Sequence, residues 1–466
     1  MLLLKNKMFG SSLFKKSKNG NLHEVLLLAF PMFLSMSFDT FMTFVDRLFL
    51  AKLSPEMMNA ALAGGTAQMM IMTFFSGMIS YSTAQVAQYF GAKQFFNCSK
   101  VVFQAFLVAL VSVPLVLCFK PFACWMFQLS EVSQVQMQAE ILYLQVLLYG
   151  ACFVLFRGVL ISFFSGIGKT NIVMVAAFIG MLVNVILNYF LIFGIWIFPR
   201  LEILGAAYGT IAGNAVTCLI LLCKYLGKPV REKFRLSFAF HKGIFLTLVK
   251  KGLPSGLEMF LCMLALNVTV LLLQGLGDFV ATASSIMFSW DMVSYVPLLG
   301  LEVACTSIAG RYIGAKDGAG LLRSIRSALF IGFLYSLLII FFFAGIPEIL
   351  VNVFRPDTPS SIFNEAKDLT IHMLRVSCIY VIAQVGVVVF GGAIRGSGDT
   401  FSVMVVTILI NWLNVLQVFL LGYVFEVDAI WCWCGVVFGF TIAPIVLYLL
   451  FKTDRWRKFM KRDLVQ

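Results

Sequence analysis

An ionisable side chain is expensive to keep inside an apolar run, so the acids stranded in such runs are the residues of this chain best placed to do chemistry. Asp46, in "FVDRLF", is the first of them. Asn184 and Asn188 lie four residues apart and share one helix face. With Asp46 they offer a carboxylate and two amide oxygens, hard ligands suited to Na+ or to a hydrogen-bonded proton carrier. The alternative for Asp46 is a place near a helix end, snorkelling beside Arg47. Asp39 precedes Asp46 by seven residues and so falls near the same face, either lining a cavity or held in a packing interaction. Glu258 follows Pro254 by one turn, and Asp291, in "SWDMVS", is at similar depth. Two carboxylates facing one cavity would attract a cation; the competing reading pairs one of them with Arg157 or Arg375 as a structural salt bridge. Gln384 is a weaker polar lining candidate, and Glu302 is expected as a gate or loop anchor. The three histidines, His23, His241 and His372, are too scattered to bind a metal together or serve a triad, so the pattern points away from an enzyme and calls for no cofactor.

The elements that carry these residues follow from composition. Hydrophobic residues make up 61% of the 466 and charged residues 12%, with a mean hydropathy of +0.95, far outside the range of a soluble domain. A hydrocarbon core about 30 Å thick takes roughly 20 apolar residues of helix. Twelve such runs are expected, at 24–50, 60–90, 101–120, 138–164, 171–195, 205–225, 246–274, 279–309, 322–346, 366–392, 401–424 and 429–451. The fold class is therefore an all-α integral membrane protein. Alternating ten-residue segments, the mark of a transmembrane barrel, are not seen.

An even number of crossings puts both termini on one side. Most of the 35 basic residues collect there: Lys5, Lys7, Lys15, Lys16 and Lys18 in a tail at 1–22, a basic stretch within a 226–245 connection, and Lys452 to Arg462 at the end. Short-loop residues such as Lys93, Lys169, Arg311, Lys316 and Arg395 are assigned to the same side. This bias reads as cytoplasmic, so the net charge of +13 reflects topology and anionic lipid headgroups; no nucleic-acid partner is implied. The expected address is the cytoplasmic (inner) membrane. The eleven cysteines fall mostly in apolar runs, where they read as small packing residues.

The chain also repeats itself. "QYFGAKQ" at 88–94 returns as "RYIGAKD" at 311–317, and "LLLAFPMF" around Pro31 answers "VKKGLPSG" around Pro254, both at an offset of 223. Further on, "SGIGKT" at 165–170 answers "RGSGDT" at 395–400 and Asn184 answers Asn414, at an offset of 230. The glycine-rich phrases lack full phosphate-loop spacing and a preceding strand, and read as tight turns. Two bundles of six helices result, at 23–225 and 246–452. An even count per repeat leaves both halves pointing the same way, with a site between them that rocking exposes to either side.

Together "FPMFLSMSFDTFMTFVDRLFLAKL", "STAQVAQYFGAK", "GIGKTNIVMVAAFIGMLVNVILNYFLIFG", "LEILGAAYGT", "GLPSGLE" and "IRGSGDT" resemble, in order, the multidrug and toxic compound extrusion transporters. The resemblance covers roughly 23–425. It implies a twelve-helix antiporter, working as a monomer, that exports small organic and often cationic compounds in exchange for Na+ or H+. It also implies that the acid of the "VD" phrase, Asp46, is the cation site. Some relatives carry an acid where Asn188 stands here. Flippases of lipid-linked saccharides share the fold and are the alternative function.

Overall fold

The computed structural model describes residues 20–128, 133–195, 197–355, 361–453 and 455–461. The tail lysines from Lys5 to Lys18, Arg462 and the loop residues 356–360 lie outside the described residues.

The apolar runs form helices long enough to cross a bilayer, and no strand occurs among the described residues. The first half comprises α1 (Leu22–Ala51), α2 (Pro55–Ser80), α3 (Ser82–Gly91), α4 (Phe95–Cys118), α5 (Lys120–Gln128), α6 (Gln134–Tyr149), α7 (Ala151–Gly166), α8 (Thr170–Phe193) and α9 (Ile203–Leu226). A short α10 (Lys228–Phe234) follows. The second half comprises α11 (Lys242–Gln274), α12 (Asp278–Gly314), α13 (Gly318–Ile340), α14 (Pro347–Asn352), α15 (Ser361–Ser397), α16 (Thr400–Phe419), α17 (Ala429–Lys452) and α18 (Arg455–Lys461). Eleven spans stand as expected. The twelfth, expected as one run over 138–164, is the pair α6 and α7, bent by 47° at Gly150. A Cβ on Gly150 would fall 2.4 Å from Ile211, so the break lets α9 approach closely. The two stretches expected as plain connection and tail each contain a short helix, α10 and α18.

The glycine-rich phrases are turns. Gly168 (φ 77°) joins α7 to α8 and Gly398 (φ 98°) joins α15 to α16, both in the left-handed region that glycine enters without strain. Asp399 caps α16 by accepting from Ser402 N at 3.2 Å.

Packing shows why "GAK" occurs twice. At the end of α3, a Cβ on Gly91 would fall 2.0 Å from the carbonyl oxygen of Arg311; at the end of α12, a Cβ on Gly314 would fall 1.9 Å from that of Gln88. Gln88 and Arg311 hold the same place in the two phrases, so the repeated segments cross each other about a two-fold axis, backbone against backbone. Phe33 on α1 meets Gly300 on α12 as Gly256 on α11 meets Gly77 on α2, by the same offset. Hydrogen bonds join the halves at this end as well: Gln88 Nε2 donates to Gly396 O at 2.8 Å and Ser307 Oγ to Ser165 O at 2.5 Å. Val25, Leu28 and Ala29 of α1 share a core with Leu301, Ala304 and Ile308 of α12. The halves are thus closed together at the end where α1 starts and α3 and α12 finish.

Two residues assigned to short loops are helical instead, one buried and one half-buried. Arg311, 8% exposed on α12, has Nη2 3.6 Å from Glu24 Oε1, and Tyr312 donates to Glu24 Oε2 at 2.7 Å. Arg395 lies within α15. A guanidinium beside a turn motif reads as loop charge until its partners, which come from distant helices, are known.

Candidate functional site

The cluster around Asp46 is assembled by three helices of the first half. Asp46 sits five residues before the end of α1 and is 3% exposed. Asn184 and Asn188 project from α8, fully buried, one turn apart as their spacing requires. Thr210 on α9 completes the group. Asn188 Nδ2 donates to one carboxylate oxygen of Asp46, and Thr210 Oγ1 donates to the other at 2.7 Å. Asn184 Nδ2 donates to Thr210 Oγ1 at 3.3 Å. The helices can stand this close because α9 presents Gly209, where a Cβ would fall 1.8 Å from Asn188 Oδ1. Among the described residues no Lys, Arg or His nitrogen comes within 4.0 Å of Asp46 in an ion pair. Asn184 Oδ1 and Asn188 Oδ1 are buried with no hydrogen-bond partner. A carboxylate, a hydroxyl and two amide oxygens with no hydrogen-bond partner among the described residues therefore share one buried cluster. Such a set suits a small hard cation entering as cargo, or a proton on the carboxylate.

Asp39 is held elsewhere. Arg157 on α7 grips it through both nitrogens, Nη1 to Oδ1 at 3.0 Å and Nη2 to Oδ2 at 2.6 Å. The Arg157 side chain is 15% exposed and the Asp39 side chain 37%. Arg157 thus serves Asp39, not the second-half acids that sequence considered for it.

In the second half Glu258 on α11 faces Arg395 on α15, with Nη2 2.6 Å from Oε1 and Nε 3.3 Å from Oε2. Thr407 on α16 donates to the same Oε1 at 2.8 Å. Arg395 Nη1 also pairs with Glu302 of α12. Two carboxylates on one guanidinium leave one negative charge over, with Glu302 and Arg395 the more exposed members at 22% and 20%. Glu302, expected as a gate or loop anchor, is thus part of this triad.

Asp291 stands apart from the triad. It accepts from the Tyr380 hydroxyl and, at 3.4 Å, from Gln384 Nε2, both on α15. Among the described residues neither Glu258 nor Asp291 makes an ion pair with Arg375. Tyr295 and Glu302 follow Asp291 on α12 at spacings of four and eleven, which places all three on one helix face.

The structure therefore brings Asp46, Asn184 and Asn188 together, brings Asp291 and Gln384 together, and gives Asp39 and Glu258 basic partners. Sequence reasoning missed Thr210, Thr407, Tyr380 and the role of Arg395. Thr210 closes "LEILGAAYGT" and Arg395 opens "RGSGDT", so both lay inside recognisable phrases, but nothing in either phrase states which distant acid it meets.

A MatE family model matches the chain twice, over 31–190 and 254–420, so each half carries the family pattern by itself. Among curated proteins, "Probable multidrug resistance protein NorM" of Bacillus cereus is 26% identical over 456 residues, covering 93% of this chain and 96% of its own. "Multidrug resistance protein MdtK" of Edwardsiella ictaluri is 24% identical, covering 91% and 94%. Among solved structures, an outward-facing multidrug resistance MATE family transporter superposes with a TM-score of 0.86 at 21% identity, over 96% of this chain and 98% of that one. A MOP superfamily transporter from Pyrococcus furiosus superposes at 0.85 with 22% identity and the same coverage. Two family matches placed on the two halves, full-length relatives and a shared twelve-helix fold agree with the geometry above: the chain belongs to the MatE family and is a multi-pass membrane transporter of small organic compounds.

Proposed function

We propose that this transporter is a secondary antiporter that exports cationic, amphipathic compounds in exchange for Na+ or H+, acting as a monomer in the cytoplasmic membrane with both ends on the cytoplasmic side. The observation that carries the reading is the Asp46 cluster, a buried carboxylate with no ion-pair partner among the described residues and two neighbouring amide oxygens that accept no hydrogen bond from them. A charge in that position needs a mobile counter-ion, because an uncompensated carboxylate in a membrane interior costs several kcal/mol. The carboxylate, amide and hydroxyl oxygens that α1, α8 and α9 bring to this cluster are hard ligands of the kind Na+ takes, and the Asp46 carboxylate is equally suited to carrying a proton. Alternating access then follows from the two-fold frame: ion binding at Asp46 and substrate binding between the halves each favour a different closure. The closed crossing of the two "GAK" segments is one end of that motion. The names of the NorM and MdtK relatives support multidrug efflux as the direction of transport.

The residual negative charge of the Glu258, Arg395 and Glu302 triad supports a preference for positively charged substrates. Asp291, Gln384 and Tyr380 supply a second polar wall. The test is movement of a cationic dye by purified protein in vesicles under an imposed Na+ gradient and, separately, a proton gradient. Dye movement driven by one gradient supports the antiporter and names its ion. Movement of a lipid-linked saccharide with no gradient-driven dye transport would replace it with a flippase.

A further inference from the structure

The segment that joins the halves is fastened to α4. α10 ends at Arg235, whose left-handed backbone (φ 48°) redirects the chain along that helix. Ser99 Oγ donates to Arg235 O at 3.3 Å, and the fully buried Gln104 donates through Nε2 to Ala239 O at 3.0 Å. Ser99 and Gln104, polar residues on a largely apolar helix, thus serve carbonyls of an irregular segment that has no ladder of its own. Leu236 packs on the core of the first half, and Phe238 meets the Phe103 ring of α4 with centroids 6.0 Å apart.

The sequence of α4 sets the depth of this segment. Lys100 is followed by eighteen uncharged residues, Val101 to Cys118, which rise about 27 Å and so match the hydrocarbon thickness. Phe103 and Gln104 lie in the first turn of that stretch. The segment they hold therefore lies where headgroups give way to acyl chains, the deepest level at which irregular backbone still meets water. There Phe238 and Phe240 are 69% and 60% exposed, in spite of their ring contacts with Phe103 and Phe245. Arg231 and Arg235, both exposed, stand just before them, and among the described residues neither side chain forms an ion pair. Glu232, the one acid between Lys224 and Lys242, pairs with Lys228 at 3.9 Å. Bare phenyl rings beside uncompensated guanidinium groups fit a surface that is apolar below and negative above.

We propose that residues 231–240 dock on the bilayer surface: Phe238 and Phe240 enter the acyl region of the leaflet on the side of the chain ends, and Arg231 and Arg235 take the phosphates of anionic phospholipids there. The join between the halves is thereby held to the membrane as well as to α4.

The test places bimane on a single cysteine replacing Phe238 or Phe240 in a cysteine-free full-length protein, reconstituted into vesicles whose phosphatidylcholine or phosphatidylglycerol carries brominated acyl chains. A cysteine replacing Lys228, whose side chain is 87% exposed, gives the reference in water. Brominated chains should quench bimane at 238 and 240 and spare it at 228, while iodide on both sides of the membrane should do the reverse. At equal mole fraction brominated phosphatidylglycerol should be preferred to phosphatidylcholine, roughly fivefold per arginine and roughly 30-fold for the pair. Arg231→Gln/Arg235→Gln should bring the two lipids to equal quenching. Should one cysteine position fail to give a monodisperse protein, the other decides. Iodide quenching at 238 and 240 as strong as at 228 would overturn the proposal by leaving the segment in water, and quenching by neither reagent would overturn it by showing protein, such as a second copy, over the rings. Equal quenching by the two lipids without the arginine changes, or a preference that survives them, would also overturn it.

Discussion

The triad of Glu258, Arg395 and Glu302 allows a prediction by charge count. Wild type carries a residual charge of minus one, since two carboxylates share one guanidinium. Glu258→Gln and Glu302→Gln each bring the sum to zero, while the Arg395 pairing and the oxygen that Thr407 donates to are kept in form. A cation about 6 Å from that residual charge gains about 0.7 kcal/mol at the dielectric of water and about 2.8 kcal/mol at an effective value of 20. The intermediate exposure of Glu302 (22%) and Arg395 (20%) sets the site between these limits. Either variant should therefore bind a cationic substrate roughly 3- to 100-fold more weakly and a neutral analogue of the same shape almost unchanged. The two variants should also resemble each other, because both remove one charge from one shared group. The assay is equilibrium binding of the cation and its neutral analogue to purified protein at constant pH. Equal losses for cation and neutral analogue would refute the reasoning, as would a large effect in Glu258→Gln with none in Glu302→Gln. Arg395→Met, by contrast, leaves two facing carboxylates and should lower stability by about 3–5 kcal/mol in denaturant titration.

Asp46→Asn should abolish ion-coupled export while leaving insertion and monodispersity intact, checked by gradient-driven dye transport beside size-exclusion chromatography; near wild-type coupled transport would place the ion elsewhere. Asn188→Ala removes one unfilled oxygen and should weaken apparent ion affinity on the order of tenfold, about 1.4 kcal/mol, read from the ion dependence of transport. Gly314→Val forces a side chain against the Gln88 carbonyl, 1.9 Å from where its Cβ would lie, and should hold the "GAK" crossing apart. In a cysteine-free background, a single cysteine replacing Ser307, 1% exposed, should then alkylate faster, and transport should fall; unchanged labelling would deny the crossing its role in closure. For orientation, impermeant reagent added outside should reach single cysteines at Arg355 and Ser361 and miss those at 225–245.

Local pattern in the chain was enough for the helices and the two-half plan. Helix spans are set by runs of apolar residues, because a bilayer rewards length and hydrophobicity residue by residue, and the duplicated phrases mark the halves directly. Asn184 and Asn188 could be paired in advance because four residues along a helix is one face, a property of the chain itself. Which side chains meet across helices is a different kind of fact. It depends on how closely the backbones approach and on rotation about each helix axis. Asp39 found Arg157, Glu258 found Arg395 from a phrase that reads as a turn, and Thr210 closed the Asp46 cluster because Gly209 lets α9 lie against Asn188. The bend at Gly150 likewise answers to Ile211 on another helix, 2.4 Å from where a Cβ would stand. Sequence determines which charges must find partners in a membrane, since leaving them bare is too costly; tertiary packing alone decides which partner each one gets, and so why Asp46 meets amides and a hydroxyl where Asp39 and Glu258 meet guanidinium groups.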